Sequence, residues 1–414
     1  MNLKLTASSK HEQLVNELRS DMEKNLVPEL HPNQCCIYRV LKDIRKVNEQ
    51  AYTSQMVSIG PLHHRKKELV KMEKKKRSYM KSFLEERINI EKQDNLFSFV
   101  QNNENIIRNC YAETSNLNNY DFIMMILYDA IFIIELFMRN FERTSDSILS
   151  TTTIRIALTS DLELLENQLL FFVLEEIYKL TFCFNMPTFM DISGCFFGSF
   201  KNLELIELNP RFRVKHFTDW RRCTLLKKYP RSDQNYEYIP DLPCAMKLHE
   251  SGVKFQKTER VKFEKHKHEL QLPQLEIADG VECLLRNVMA LEQYHYPNDT
   301  HICNYIQLMD RLIDTTKDVD LLVESEIISN SIGDNSSIAK IFNKLGRNIS
   351  LSPSSYYNMC QELKKHCEDP WNRKMATLRR VYFSNLWRGT GTIAGVLLLL
   401  LTVIQTICSI LQLM

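Results

Sequence analysis

The chain has 414 residues, of which 44% are hydrophobic and 25% are charged, a composition typical of a globular protein rather than a disordered chain. Its 53 lysines and arginines nearly balance its 51 aspartates and glutamates, so the net charge of +2 gives no overall field that would attract nucleic acid. The 10 glycines are far below the usual share of about 7%, which argues against glycine-rich phosphate loops and hairpin repeats. These numbers favour a mainly α-helical fold without a nucleic-acid partner.

Residues 1–30 are polar and form a segment of their own, before a single predicted helical globular domain at 31–385. The N-terminal segment lacks the apolar core of a secretory signal, so we expect the chain to begin in the cytosol. The 12 cysteines include no C-x-x-C motif, which argues against a zinc site and predicts no metal or cofactor. Those in apolar stretches, such as Cys110, Cys183 and Cys283, are interpreted as small buried hydrophobic residues.

A basic stretch, RKKELVKMEKKKR at 65–77, begins a predicted amphipathic helix that runs to about residue 100. Glu68 and Glu73 interleave with its lysines, and no aromatic residue accompanies them. This pattern favours a solvated helix face, and contact with anionic lipid is the alternative.

The chain contains two histidine pairs whose imidazoles are of the type that binds metal ions. His63 and His64 follow a Gly-Pro turn signal, and we expect both imidazoles to be exposed there. His266 and His268 alternate onto one face of a predicted strand, among charged neighbours. Because adjacent or alternating histidines need further ligands from distant residues, neither pair is assigned as a site.

The middle of the chain contains two strongly apolar segments, at 122–138 and 161–180. The first carries Asp129 and Glu135, which would be costly in lipid, so we interpret it as a core helix of the globular domain. Short alternating runs then predict a small β-meander near 252–278.

Helical periodicity resumes after this meander. It is present at 281–296 and again at 305–323. Turn residues between 331 and 353 flank a further short helix. The fold predicted from these elements is a mainly α, multi-helix globular domain with one small β-meander.

The last segment, 386–414, is predicted to be a transmembrane anchor. From Ile393 onward, IAGVLLLLLTVIQTICSILQLM carries no charge and matches the ~20 residues that cross a ~30 Å hydrocarbon core. A buried core helix and the removable tail of a lipid-anchor signal are the alternatives. The residues assigned to the span include Ile393, Leu397, Leu401, Ile404, Ile407 and Leu411.

The flanking charge predicts the orientation of this span. Arg379, Arg380 and Arg388 all precede it, and the positive-inside tendency then keeps the large domain in the cytosol. The chain is therefore expected to be a single-pass, tail-anchored protein whose particular membrane is not specified. We expect no glycan on its three N-x-S/T sequons, which begin at Asn298, Asn335 and Asn348.

Charged and amide side chains lie within strongly apolar segments, and something must satisfy them because an unpaired buried charge costs several kcal/mol. One interpretation is a polar network that fixes helix register, in which residues 166–168 crosslink neighbouring segments and Arg286 is a basic partner. The other is a carboxylate site for acid–base catalysis or metal binding, although no catalytic motif supports it. The weak catalytic candidates are Asp129, Glu166 and Glu292, and the full set adds Glu135, Asp161, Asn167, Gln168, Arg286, Asn287 and Gln293.

In order along residues 35 to 410, a series of short segments resembles the plant membrane-protein family of domain of unknown function 247. The chain departs from the usual family pattern at positions where proline is typical, namely Leu41, Ser54, Leu170 and Leu386, and it has Ala130-Ile131 where glycine and cysteine are common. The matching segments are Cys36–Val40, Val57–Pro61 with His63-His64, Met72-Glu73 with Lys76, Asp129 with Phe132–Leu136, Asp161 with Leu165–Gln168, Gly252–Phe255, Arg286-Asn287, Glu292-Gln293, Asn385, Trp387 and Leu401–Thr406.

The resemblance implies a plant protein with one C-terminal span and no established biochemical activity. Some grass members are linked to pollen–stigma self-incompatibility, so a recognition role of that kind is one expectation. Our leading hypothesis is a non-enzymatic interaction or signalling module, with the membrane and other proteins as partners and no small-molecule substrate. The alternative is an enzyme of unknown class that uses the embedded carboxylates.

Overall fold

The computed structural model describes residues 11–12, 14–20, 34–183, 185–198, 214–228, 237–239, 241–347, 353–374, 377 and 386–413. It is 64% helical, which confirms the predicted mainly α class. Most of the predicted N-terminal segment at 1–30 lies outside the described residues, and the prediction of a single domain at 31–385 stays a prediction.

The first half of the chain is helical. Short 3₁₀ turns cover Glu49–Tyr52, Pro61–His63 and Lys67–Leu69. The helices are α1 Lys42–Arg45, α2 Val70–Glu86, α3 Ile90–Asn102, α4 Glu104–Asn109, α5 Asn119–Glu142, α6 Thr152–Glu163, α7 Phe171–Thr181, α8 Phe189–Phe196 and α9 Phe217–Lys228.

The single long helix predicted from residue 66 to 100 is wrong, because α2 and α3 are separate helices. Helix α2 ends at Glu86, and Asn89 then caps α3 by accepting a hydrogen bond from the amide of Lys92 at 2.9 Å. Asparagine at such a position favours a new helix start over continuation of the old helix. The break allows both helices to pack on α5.

Helix α5 is the centre of the first hydrophobic core, as the apolar segment 122–138 predicted. Asn118 caps its start by accepting from the amide of Asp121 at 2.8 Å, and Arg143 ends it in the left-handed conformation, with φ of 57°. Its residues from Phe122 to Met138 are mostly buried among α2, α3, α6, α7, α8 and α9.

Strands occupy the region predicted to be a β-meander, but their order is not that of a meander. They are β1 Lys254–Lys257, β2 Lys262–Glu264, β3 Glu269–Leu272, β4 Leu275–Ile277 and, later in the chain, β5 Ile328–Asn330. The central strand β3 pairs in parallel with β1 and antiparallel with β2. Strand β4 leaves this sheet and pairs in parallel with β5.

The second half of the chain forms another hydrophobic core around these strands. Its helices are α10 Ala245–Glu250, α11 Val281–His295, α12 His301–Leu312, α13 Thr316–Glu324, α14 Asn335–Leu345 and α15 Tyr357–Glu368. A third, small cluster joins residues from both halves, including Val40, Tyr52, Leu165 and Leu291. Polar side chains that hold the chain at this junction are described below.

The last element, α16 Leu386–Leu413, is an apolar helix. Within it, Thr390–Leu411 is long and apolar enough to cross a membrane, and none of this window is buried against the rest of the chain. This exposure distinguishes α16 from α5, which is similarly apolar but lies in the core.

Candidate functional site

The connection between α6 and α7 carries the most concentrated group of buried polar side chains. Helix α6 ends at Glu163, and Leu164 and Leu170 have extended backbone, so residues 166–168 lie in a buried loop rather than inside a helix. Their side chains hydrogen-bond to backbone groups of segments far away in sequence, as the crosslinking interpretation predicted. We call these side chains, with Asp161 and Asn287, the polar network.

Asp161 binds the extended segment that precedes the Gly-Pro turn. Its carboxylate accepts hydrogen bonds from the amides of Gln55, Met56 and Val57 at 2.9, 2.6 and 2.8 Å. Burial raises the pKa of Asp161 to about 6, and these three amide donors oppose that shift. The carboxylate therefore acts as a cap for a segment that has no regular backbone partner of its own.

The two amide side chains of the loop act in the same way. Asn167 accepts from the amide of Ile59 at 2.7 Å and donates to the carbonyls of Val57 and Asp161. Gln168 donates to the carbonyls of Leu162 and Leu164 at 2.7 Å each. The Gln168 side-chain oxygen accepts from the amide of Phe217, the first residue of α9.

Asn287 on α11 connects the second half of the chain to this polar network. Its oxygen accepts from the amide of Leu165 at 2.9 Å, and its nitrogen donates to the carbonyl of Ala51 at 2.7 Å. One amide side chain thus fixes two segments that lie more than a hundred residues earlier in the sequence.

Glu166 is fully buried and lies among basic side chains. It accepts from the amide of Val40 at 2.9 Å and from the Arg45 guanidinium at 2.5 Å. Its second oxygen lies 3.5 Å from Arg39 and 3.4 Å from His63 Nε2. Two arginines therefore neutralise this carboxylate.

The expectation that both histidines of the Gly-Pro turn are exposed is wrong for His63, which is 1% exposed. Neither of its ring nitrogens has a hydrogen-bond partner among the described residues. Burial, reinforced by the charges of Lys66, Arg39 and Arg45, lowers the pKa of His63 to about 3. His63 is thus a neutral ring packed against Glu166.

Asp129 of α5 has a separate partner, Lys76 of α2, whose Nζ lies 2.6 Å from the carboxylate. Lys76 also contacts Glu73 and the carbonyl of Ser58. The interpretation of 65–77 as a solvated face is therefore wrong for Lys76, which is 1% exposed. Burial raises the pKa of Asp129 to about 6 against the opposing effect of the ammonium.

The other oxygen of Asp129 explains why glycine precedes the proline of the turn. It accepts from the amide of Gly60 at 2.8 Å, where φ is 70°. A Cβ atom at this position would lie 2.7 Å from the carbonyl oxygen of Gln168. Both the left-handed backbone and the lack of space therefore require glycine.

Glu135 points away from Asp129, as their spacing on the helix predicted, and it pairs with Arg139 at 2.7 Å and Arg87 at 3.3 Å. Both arginines are about one-fifth exposed. This ion pair therefore reaches the edge of the core, whereas the Asp129–Lys76 pair is enclosed.

Glu292 of α11 forms a third separate ion pair. It contacts Arg222 of α9 at 3.0 Å and accepts from the amides of Ile302 and Cys303 at 3.2 and 2.8 Å. The expected basic partner Arg286 is not involved, because its guanidinium binds Glu282, one turn earlier on the same helix, at 2.9 Å.

The three catalytic candidates thus occupy three environments instead of sharing one. Asp129 contacts Lys76, Glu166 contacts Arg45, and Glu292 contacts Arg222. Each carboxylate also accepts a backbone hydrogen bond. Two surface cavities, of about 910 and 610 Å³, are lined by other residues. The geometry suits structural ion pairs that fix the positions of neighbouring segments.

The remaining histidine pair also differs from its prediction. His266 and His268 lie in the turn between β2 and β3, not on a strand, and His268 has φ of 53°. The ring of His268 contacts that of His366 in a tilted arrangement, with 4.6 Å between ring centroids and 55° between ring planes. Among the residues that the structure describes, no group of three potential ligands could hold a metal ion.

Two important buried cations, Lys76 and Arg222, were missed by the sequence analysis. Lys76 matches the family pattern, but it lies within a run of lysines, and the signal for its burial is its helical spacing from Met72, Tyr79 and Phe83. Arg222 lies on the basic helix α9, beside the buried Trp220. A single sequence gives no signal that assigns either cation to its carboxylate.

Residues 37–401 match the family of domain of unknown function 247, described as a plant protein of unknown function. The chain is similar to UPF0481 protein At3g47200 of Arabidopsis thaliana, with 27% identity over 418 residues that cover 91% of this chain and 87% of that protein. It is also similar to UPF0481 protein At3g02645 of the same plant, with 25% identity over 170 residues, or 40% of this chain and 32% of that protein. No solved structure matches the chain.

Proposed function

The chain belongs to the plant family of domain of unknown function 247, and from this premise we propose that it is a single-pass membrane protein whose helical body is an interaction or signalling module. In this proposal α16 crosses the bilayer, and residues 34–374, here called the body, bind another protein. The alternative is an enzyme that uses the buried carboxylates. Membership of the family assigns no activity, so the support comes from this chain's own residues.

The observation that carries the proposal is the exposure of α16. None of the window Thr390–Leu411 packs against the body, and Leu397, Leu399 and Leu411 are 54%, 68% and 67% exposed. Apolar surface costs about 25 cal/mol per Å² in water, and soluble proteins seldom expose large continuous patches of it. A lipid environment removes this cost.

The dimensions and polar groups of α16 also fit a bilayer. At 1.5 Å per residue, the 22 residues of the window span about 33 Å, close to a hydrocarbon core of about 30 Å. The hydroxyls of Thr402, Thr406 and Ser409 each donate to the carbonyl four residues earlier, at 2.7 to 2.9 Å. Their polar groups are therefore satisfied within the helix itself.

The ion pairs of the body support an interaction module over an enzyme. A general acid or base must reach substrate, but Asp129, Glu166 and Glu292 are each at most 1% exposed and already contact a cation. Groups held in this way stabilise a rigid body that can present its surface to a partner. A recognition role like that of some grass members of the family belongs to this proposal.

Removal of α16 tests the anchor. We expect the full chain to remain in the membrane fraction after alkaline carbonate extraction and the chain ending at residue 385 to be released. A matched control replaces α16 with an unrelated transmembrane helix of the same length, which should restore retention. Extraction of the full chain as a soluble protein would overturn the anchor.

Glycosylation tests the cytosolic orientation of the body, which rests on Arg379, Arg380 and Arg388 before the span. Asn298 begins an N-x-T sequon and is exposed, so a luminal body would be open to glycosylation there. We expect no change in mobility on glycosidase treatment, and a glycan at Asn298 would reverse the orientation. A sequon added after residue 414 is the control, because it should be modified if that end is luminal.

Proximity labelling in plant tissue tests the interaction role. A labelling enzyme is fused to the N-terminus of the full chain, of the chain without α16, and of a variant with Glu166→Gln. We expect cytosolic neighbours that are lost when α16 is removed and retained in the Glu166→Gln variant, since this carboxylate is not a catalytic group in the proposal. Equal labelling with and without α16 would contradict a membrane-dependent module.

A further inference from the structure

Cys36 and Cys110 lie side by side although 74 positions separate them in sequence. The amides of Cys36 and Ile37 both donate to the carbonyl oxygen of Cys110, at 3.0 Å each. The next residues, Ile37 and Tyr111, form a parallel β-bridge, which the amide of Ala112 completes by donating to Ile37. The backbones at the two cysteines are thus in direct contact.

The two side chains also enter the same environment. Cys36 is 2% exposed and Cys110 is 7% exposed, and both belong to the first hydrophobic core. Both cysteines are free thiols in this structure. The neighbouring Cys36 thiol and the charge of Lys215 lower the pKa of Cys110, against the effect of its burial.

We propose that Cys36 and Cys110 form a redox modification site, at which oxidation closes an intramolecular disulfide. Backbones joined by hydrogen bonds across a bridge place Cα atoms within the range of about 4.4 to 6.8 Å that a disulfide needs. Cys36 and Cys110 each precede one residue of the parallel Ile37–Tyr111 bridge, and side chains at matching positions of paired strands lie on the same face. The contact therefore needs little rearrangement to become a bond.

The reaction balances with hydrogen peroxide as the oxidant. The Cys110 thiolate attacks one peroxide oxygen and forms a sulfenic acid, while the second oxygen leaves as hydroxide and takes a proton to become water. The Cys36 sulfur then attacks the Cys110 sulfur, the S–S bond forms, and the sulfenic oxygen leaves as a second water. Two thiols lose two electrons in total, and one peroxide becomes two waters.

Cys110 is the favoured first nucleophile for two reasons. It keeps more exposure than Cys36, and it is the member of the pair whose pKa is lowered. Cys36 has a raised pKa, for which the Cys110 contact is the largest cause and burial the next. The pair thus contains an attacking thiol and a resolving thiol.

The bond would fix the start of the body. The carbonyl of Cys36 contacts His216 Nε2 at 3.0 Å, and four residues later the amide of Val40 donates to Glu166. A disulfide at Cys36 would hold this segment on the body even when these hydrogen bonds open. Because a crosslink between distant positions restricts the unfolded chain, we expect the oxidised protein to resist unfolding.

The test uses the full chain in detergent micelles, treated under native conditions with hydrogen peroxide and then with an alkylating reagent. We expect peptide mapping to find a Cys36–Cys110 crosslink, with the intact mass lower by two hydrogen atoms before alkylation. The unfolding temperature should rise on oxidation and return on treatment with a reducing thiol. These changes should be lost in Cys36→Ala and in Cys110→Ala.

Cys35→Ala is the matched control, because Cys35 is equally buried and adjacent in sequence. It should keep both the crosslink and the thermal shift. Cys183 is exposed, so its predicted burial is wrong. Cys183→Ala removes a thiol outside the pair and should also keep the crosslink. If the unmodified chain and folded Cys35→Ala protein both yield only sulfinic acids, or if the unmodified chain forms a crosslink to Cys35 instead of Cys36, the Cys36–Cys110 site is overturned.

Discussion

Helices α5 and α16 are both long and strongly apolar, yet they lie in opposite environments. Helix α5 is buried from Phe122 to Met138 and carries Asp129 and Glu135, each paired with a basic side chain from the body. Helix α16 has no charged residue within its apolar window, and none of that window is buried against the part of the chain that the structure describes. Hydrophobicity alone does not separate the two helices. The difference lies in the charged groups and their partners.

This difference has a physical basis. A charge within a protein core can be matched by a cation and by backbone donors, as Asp129 is by Lys76 and Gly60. A charge in hydrocarbon has no such partners unless another helix supplies them. An apolar helix with carboxylates therefore indicates a protein core, and one without charges is suited to lipid.

The largest expected effect comes from adding charges to α16. Leu397→Arg with Leu401→Arg places two guanidiniums on one face, at about 2.5 to 3.5 kcal/mol each near the centre of a bilayer, or about 6 kcal/mol together. We expect most of the protein to be released by carbonate extraction. Leu397→Val with Leu401→Val is the control and should remain membrane-bound.

The same pair of arginines should not disturb the body. Because Leu397 and Leu401 are more than half exposed, their replacement removes no core contact. We expect the urea unfolding transition of the body to be unchanged in detergent micelles. A destabilised body would show that α16 packs against it, which would remove the contrast with α5.

The next effect comes from removing a charge from the core. Lys76→Met leaves Asp129 buried without its cation, which typically costs about 3 to 5 kcal/mol. We expect urea denaturation of the full chain in micelles to show this loss. Lys76→Met with Asp129→Asn should recover part of it, because no unpaired charge then remains. Lys74→Met, on the exposed side of α2, should change the unfolding free energy by less than about 0.5 kcal/mol.

The sequence was sufficient to identify both apolar helices, and it was insufficient to pair the buried charges of the body. The run 122–138 could be assigned to the core because Asp129 and Glu135 exclude lipid. The partner of Asp129 lies 53 residues away, and the partner of Glu292 lies 70 residues away. Such pairings depend on how helices pack, which one sequence does not reveal.

The local errors have the same origin. The strands near 252–278 follow from alternating residues, but alternation does not determine which strand lies at the centre of a sheet. His63 was predicted to be exposed because it follows a turn signal. Its burial depends on contact with the loop at 166–168, which is distant in sequence. The missed break at Asn89 has a different origin. Asparagine at a helix start is a local signal, so this break could have been predicted from the sequence.

A pH experiment sharpens the contrast, because the body has buried titratable groups and the apolar window of α16 has no acidic, basic or histidine residue. His216 is fully buried, with Nε2 3.0 Å from the carbonyl of Cys36 and Nδ1 accepting from the amide of Asp219. These two contacts stabilise the neutral form of the imidazole ring. Burial lowers the pKa of His216 to about 4.

Between pH 6.5 and 4 the unfolded chain binds a proton at His216 that the folded chain does not bind. The stability contributed by the neutral ring is therefore present above pH 6.5 and is lost as the pH falls towards 4. At pH 5 we expect a loss of about 2 kcal/mol from this group relative to pH 7. Asp161, whose pKa is raised, acts in the opposite direction, so the measurement is a difference between variants.

The comparison is between the unmodified chain and His216→Gln, each unfolded in urea at pH 7 and pH 5. The variant should lose about 2 kcal/mol less on acidification, and the exposed His266→Gln control should behave like the unmodified chain. Equal pH dependence in all three proteins would show that His216 is already protonated in the folded state. Membrane retention through α16 should not change over this range.

The smallest expected effect tests whether the basic face of α2 adds a second membrane contact. Lys71 and Lys74 on α2 and Lys67 in the 3₁₀ turn before it are exposed, and each would contribute about 1 kcal/mol to binding if it lay at an anionic surface. We expect replacement of all three by glutamine to leave the association of the full chain with phosphatidylserine vesicles and with neutral vesicles unchanged. A loss on phosphatidylserine vesicles alone would assign lipid binding to this face. The body would then contact the membrane through charge, in addition to the proposed apolar contact of α16.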